Sequence, residues 1–341
     1  MNPNLFSRRR LLAGLIASVA LVQTPAAAES HGLVLVTEKG SRSLGLVDPV
    51  TLEQIATIVE DGVTGHEVAA SPDGRRAFVP IYGNAGVGQP GTDGRLMRVL
   101  DLRKREIVGT VDFGKGVRPH LPVYDPVKNL LYVTTELENA ITVIDPKTLT
   151  IVGTVPTGQP ESHMLVLSHD GRRGYTANVG PGTVSVLDLD ARKLVKVIKV
   201  ADTTQRISIS PDDRFVVTAD QLNPKLIVID TAKDEVGGEI ELPGVAYGTT
   251  FTPDGKTLLA CLQRARKLAV IDVAARKVER TIDVPKFPQS VLVEPDGAMA
   301  FVTCDASEQL AAIDTATWSV KKLIHTGPGT DGIAWAPSVG R

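Results

Sequence analysis

The sequence predicts an all-β fold, a seven-bladed β-propeller with four antiparallel strands per blade. Three observations lead there: one unit recurs seven times, each unit carries four strand-like runs, and the tail supplies what the head lacks. A short apolar run ending in aspartate returns at Asp48, Asp101, Asp145, Asp188, Asp230, Asp272 and Asp314, at spacings of 53, 44, 43, 42, 42 and 42 residues. Between these marks lies a second one: Ser71-Pro72-Asp73-Gly74, Asp125-Pro126, Ser168-His169-Asp170-Gly171, Ser210-Pro211-Asp212-Asp213, Thr252-Pro253-Asp254-Gly255 and Glu294-Pro295-Asp296-Gly297. Proline presets φ and Asp-Gly closes a hairpin, so each of these is a tight turn.

Within a unit the strand-like runs are short and rich in β-branched residues, as at 164–167, 175–178, 183–187 and 194–200. No stretch carries a helical period. One twisted four-stranded sheet cannot bury both faces until it stands between two others, which is why a unit of about 40 residues implies a ring. The chain opens in mid-unit, with runs at 33–37, 44–47 and 55–59 and no inner strand before them. Residues 332–337, Gly-Ile-Ala-Trp-Ala-Pro, match the inner strands of the other units, so the C-terminal strand is expected to complete the first blade and leave no free edge.

Residues 1–28 read as an export signal. Ser7-Arg8-Arg9-Arg10-Leu11-Leu12 leads an apolar run over 11–22, and Ala26-Ala27-Ala28 offers a small-residue cleavage site. The paired arginines fit the twin-arginine (Tat) route, and the apolar run would also serve Sec. That run is shorter than the roughly 20 residues a membrane span requires, and no later segment approaches that length. The expectation is a periplasmic protein cleaved near Ala28, with 29–341 forming one propeller domain; retention as an uncleaved anchor is the alternative. Loss of three arginines and no acid takes the formal charge from −2 to −5. An acidic chain of this kind is a poor partner for a phosphate backbone, so nucleic acid is not the expected ligand. Cys261 and Cys304 fall at offset positions of different repeats, a placement that does not call for a bridge.

Tyr175-Thr176-Ala177-Asn178 followed by Thr183-Val184-Ser185-Val186-Leu187-Asp188 resembles the YVTN repeat family of propellers. The motif weakens to Tyr132-Val133-Thr134-Thr135 and Phe301-Val302-Thr303-Cys304, while repeat length and turn motif hold along nearly all of the chain after the signal. The resemblance implies a propeller, and often an exported one. Members bind diverse partners, so it implies no single activity.

Because the repeats align, one position can be compared across all blades. Five residues before the turn serine or its equivalent stand His66, His120, His163, Gln205, Tyr247, Gln289 and Asp331. These lie at the start of the inner strands, where blades converge on the channel. Three of the chain's six histidines occupy this position in three consecutive blades. Three converging imidazoles with an open position would hold a transition metal such as Zn or Cu, with Glu67 and Glu161 as added ligand or orienting partner. The plainer alternative is a hydrated polar lining, which Gln205, Tyr247 and Gln289 favour. Arg118 and Arg206 sit beside the ring position, fit either for an anionic ligand or for a salt bridge.

The one irregularity in the repeat is an extra stretch of about ten residues within 83–95, Gly-rich, joining the second and third strands of the His66 blade above the histidines. It is either a lid or recognition element or a tolerated loop. It is no phosphate loop, lacking a following helix and a Lys-Ser or Lys-Thr pair. Two functions follow. The first is a binding module whose channel mouth takes a small molecule, metal ion or periplasmic protein. The second is a metal-dependent hydrolase, lactonase or lyase in which the histidines hold the ion and Glu67 or Asp331 moves a proton. Some seven-bladed propellers are lactonases or lyases, but no motif of those families, no nucleophile elbow and no haem attachment site is present.

Overall fold

A computed structural model describes residues 32–338. The expected export signal lies outside the described residues. Seven four-stranded antiparallel sheets follow one another around a ring, each running from an inner strand to an outer one in chain order, except the first. That sheet takes its inner strand, Thr330–Ala336, from the C-terminal end and pairs it with Leu33–Glu38, Val34 facing Trp335 and Val36 facing Ile333. Fold, blade count and closure are as the repeats predict. The only helical elements among the described residues are two single 3-10 turns, Glu136–Glu138 and Asp305–Ser307. No helix among those residues is long and apolar enough to cross a membrane.

The recurrent aspartate is a turn device. Asp48 Oδ1 accepts the N–H groups of Val50 and Thr51, and Asp101, Asp145 and Asp230 repeat the pattern. Four residues after each mark the chain turns left-handed, at Leu52, Arg105, Leu149, Arg192, Asp234, Arg276 and Trp318. None of these is glycine, so side-chain contacts must offset the strain. Leu52 is buried against Met299 and Phe301 of the last blade, and the Arg192 and Arg276 guanidinium groups donate to Val152 O and Gly237 O of the blade before.

The serine-type turns close differently. Ser71 Oγ donates to Asp73 and accepts from Arg76 N, while Gly74 supplies the positive φ of 66°. Asp213 takes the same left-handed conformation where four of the other turns have Gly74, Gly171, Gly255 and Gly297.

The core is divided among the joints between blades. Seven apolar clusters form, one at each blade-to-blade interface, including the seam between last and first blades, where Val34, Val36 and Val47 meet Phe301, Leu310 and Ala312. Each outer strand contributes one fully buried residue, from Ile58 to Ile324, and some add a partly buried one such as Ile107 or Val320. Cys261 and Cys304 are buried, unbridged members of one such cluster. Every blade therefore depends on both neighbours, and the seam is as apolar as any other joint.

Ending the chain after Gly327 removes the inner strand of the first blade and bares the edge of Leu33–Glu38. The shortened protein is expected to lose its cooperative thermal transition and to aggregate. An unchanged melting temperature would show that the seam does not carry the ring.

Candidate functional site

The ring position escapes regular pairing in every blade, and this is what turns its side chains inward. Register shifts fall at Pro119/Pro122, Ser162/Met164, Thr204/Ile207, Pro288/Val291 and, in the closing strand, between the partners of Val36 and Glu38. In the other two blades the inner strand, Ala69–Ala70 or Thr249–Phe251, begins only after the ring residue. A bulge re-aims the side chain it carries.

A second ring interlocks with the first. Nine residues before each recurrent aspartate in six blades stand Lys39, Glu136, Val179, Gln221, Gln263 and Asp305, and Tyr82 holds the equivalent place below the insertion. In six of the seven blades the N–H of this residue donates to the carbonyl two positions before the ring residue: Lys39 to Gly329, Tyr82 to Thr64, Glu136 to Arg118, Val179 to Glu161, Gln221 to Thr203 and Asp305 to Phe287. Arg118, Glu161 and Phe287 are left-handed at that point. Threonines stitch the blades together beneath. Thr37, Thr134 and Thr303 each accept an N–H from their own inner strand and donate to the carbonyl of the next blade's ring residue, His66, His163 or Asp331.

His66, His120 and His163 do come together, around Tyr82. The Tyr82 ring lies 4.8, 5.2 and 5.8 Å from their centroids, and His120 stacks on His163 at 3.5 Å with 28° between planes. His120 Nδ1 lies 3.2 Å from His163 O, and since a carbonyl only accepts, that nitrogen carries the proton. His163 Nδ1 lies 3.2 Å from Glu136 Oε2, which also accepts the Tyr82 hydroxyl at 2.6 Å. Burial opposes the Glu136 charge, but these hydrogen bonds hold its pKa below the usual glutamate value. Burial lowers all three histidines, His66 to about 4, and they are neutral at pH 7.

The expected three-histidine metal centre is not assembled. Stacked rings show each other faces rather than lone pairs, and among the described residues no three His, Cys, Asp or Glu side chains could hold a metal ion. The carboxylates expected to support it are engaged elsewhere. Glu67 pairs with Arg206, and Glu161, half-buried, accepts Gly180 N at 2.7 Å. The carboxylate hydrogen-bonded within this histidine group is Glu136.

Both arginines form salt bridges. Arg206 crosses the mouth from the fifth blade to Glu67 of the second and to Asp331 of the first, at 3.2 Å, and its guanidinium lies 4.8 Å from the Tyr247 ring centroid. Burial works against its charge, but Glu67 and Asp331 keep its pKa above the ordinary arginine value. Asp331, opposed by burial, is lowered by Lys39, Arg206 and His66; Glu67 is raised by burial despite Arg206. Lys39 holds Asp331 at 3.1 Å and Asp305 at 3.3 Å, and Gln289 bridges Asp305 and Gln263. Gln205 is half-buried and makes no side-chain hydrogen bond among the described residues.

Arg118 straps down the insertion. Its Nε donates to Asp93 at 2.7 Å, Nη2 to Gln89 O at 2.7 Å, and Nη1 to Gly86 O and Glu136, while Gly88 N donates to Glu136. The loop between Arg76–Gly83 and Asp93–Asp101 is thus fixed over Glu136 by named bonds. A cleft of about 570 Å³ lined by Gly32, Pro49, Glu294, Trp335 and Pro337 lies at the opposite ends of the strands, without a comparable cluster.

Arg206→Met leaves Glu67 and Asp331 buried beside one cation fewer. It is expected to cost about 3–5 kcal/mol by urea unfolding, with part recovered in the Glu67→Gln, Arg206→Met double variant. His66, neutral in the fold but protonated in the unfolded chain below about pH 6.5, costs stability as pH falls toward 4. His66→Gln should therefore gain on the parent protein by on the order of 1 kcal/mol between pH 7.5 and 5.0, solvent reaching the half-buried ring having reduced the effect. A constant difference between the two would refute this.

Residues 176–298 match the profile of the YNCE-like beta-propeller family. The chain is 28% identical over 148 residues to antigen Lp49 of Leptospira interrogans, an alignment covering 41% of this chain and 32% of that protein. It is 30% identical over 150 residues to the seven-bladed beta-propeller protein Rv1057 of Mycobacterium tuberculosis, covering 43% and 35%. The chain thus spans about a third of the length of these curated relatives. A chain of Kuenenia stuttgartiensis hydrazine synthase superposes with a TM-score of 0.72 at 18% identity, over 89% of this chain and 99% of that one, a likeness of fold alone. Repeat pattern, matched profile and superposition agree that the chain is a seven-bladed propeller of the β-propeller repeat class, similar over 176–298 to the YNCE-like group.

Proposed function

We propose that this is an exported periplasmic binding module that takes a small ligand at the channel mouth, beneath the 84–92 loop. The observation that carries this reading is the grouping of Tyr82, His66, His120 and His163 with an ordered loop over one sector of the ring. Buried polar side chains stabilise a fold only when satisfied, and apolar residues would close the channel at lower cost. The remaining blades fill the same positions with glutamine, tyrosine and aspartate. Only this sector combines three imidazoles, a tyrosine and an overhanging loop. Export is supported by Arg8 and Arg9 ahead of the apolar run and by the alanines at 26–28. The acidic mature chain argues against a nucleic-acid partner.

A thermal-shift panel of small organic cations, organic and inorganic anions, and divalent metals tests the reading. At least one class is expected to raise the melting temperature of the mature protein by more than about 2 °C. The gain should vanish in His120→Ala. A panel without effect, or a shift retained in full by the variant, would refute binding at this mouth.

A further inference from the structure

The mouth carries more carboxylates than cations, and beside Glu136 two imidazoles each keep an acceptor nitrogen without a partner among the described residues. Two ion networks line it. In one, Lys39 and Arg206 join Asp305, Asp331 and Glu67; in the other, Arg118 joins Asp93 and Glu136. Each holds one carboxylate more than it has cations; burial raises Glu67 to about 7, so the surplus charge at pH 7 sits with Glu136 and Asp93. The histidines, neutral as described, do not redress the balance.

Every cation at the mouth is already held by carboxylates. Arg118 uses Nε, Nη1 and Nη2 on Asp93, Glu136 and two loop carbonyls, and Lys39 is held by two aspartates. Arg206 uses Nη1 and Nη2 on carboxylates, and its Nε, without a partner, is sealed from the channel. An anion entering the mouth would find carboxylates of its own sign beside every cation. A metal ion would find no set of three ligands.

The two histidines bonded through Nδ1 point the other way. His120 and His163, each 2% exposed, commit their Nδ1–H to His163 O and to Glu136. Each is left with an Nε2 lone pair that accepts from no described residue.

We propose that the channel mouth takes the protonated head of a primary amine, whose N–H groups donate to Nε2 of His120 and His163 and whose charge offsets the surplus carboxylate of the Glu136–Arg118–Asp93 network. This rests on the mouth being the binding site, as proposed above. The burial of both histidines limits entry to a slim head, an ammonium on an alkyl chain rather than a bulky quaternary group.

Isothermal titration of the mature chain at pH 7 with n-butylamine, 1,4-diaminobutane, tetramethylammonium, citrate and zinc sulfate tests it. The two primary amines are expected to bind, and tetramethylammonium, a cation without N–H, at least 10-fold more weakly. His120→Phe keeps a flat ring but no lone pair and should weaken butylamine at least 10-fold; Glu136→Gln, which removes the surplus charge, serves should the first variant not fold. Equal binding of tetramethylammonium, or amine affinity unchanged in the folded variant, would overturn the proposal. Binding of citrate or zinc instead of amines would overturn it while leaving the mouth as a binding site. No binding by any of the five would remove both readings.

Discussion

A guanidinium from one side of the ring, buried against carboxylates from the other, is the contact on which the channel mouth depends. Arg206 joins the fifth blade to the second and first, pairing with Glu67 and Asp331 where the inner strands themselves form no sheet with one another. Inner strands of a propeller end in free backbone groups facing the axis, and something polar must answer them. Here side chains do so in two interlocked tiers. The tie between tiers is a repeated backbone bond, as from Glu136 N to Arg118 O, and the tie between blades is a threonine, as from Thr134 to His163 O. The side chains at the mouth are therefore held by the same bonds that hold the ring.

This frame gives the histidine sector its chemistry. With Nδ1–H fixed by a carbonyl in one case and a carboxylate in the other, His120 and His163 are oriented acceptors rather than free-turning imidazoles. Tyr82 supports both and is itself tied to Glu136, whose second oxygen reaches Arg118 and the loop. Loop, tyrosine, glutamate and histidines form one connected set. A change at any member is felt by the others, so their energies will not add.

The fold was legible because a propeller writes its period into the chain: the Asp marks, the Ser-Pro-Asp-Gly turns and the missing first inner strand each have one structural meaning. The ring position was legible for the same reason, and it gathered His66, His120 and His163 correctly in space. Their mutual orientation was not legible. Whether imidazoles converge on an ion or stack depends on bulge geometry, as between Pro119 and Pro122, which residue identity does not encode. Glu161 shows the same limit, its left-handed backbone sending the carboxylate to Gly180. Glu136 and Tyr82 had a signal available, the alignment shifted to nine residues before each Asp mark, where Lys39, Gln221, Gln263 and Asp305 are also polar and Val179 alone is apolar. The insertion hid the match for Tyr82 by moving its Asp mark away.

The central claim is that two neutral, Nδ1-protonated imidazoles offer unfilled Nε2 lone pairs at the mouth. Long-range proton–nitrogen correlation NMR at pH 7 on histidine-labelled protein reads this directly, with His120→Gln and His163→Gln for assignment. The account predicts an Nδ1–H tautomer and an unprotonated Nε2 for both rings; an Nε2–H tautomer or a doubly protonated ring at either position would contradict it.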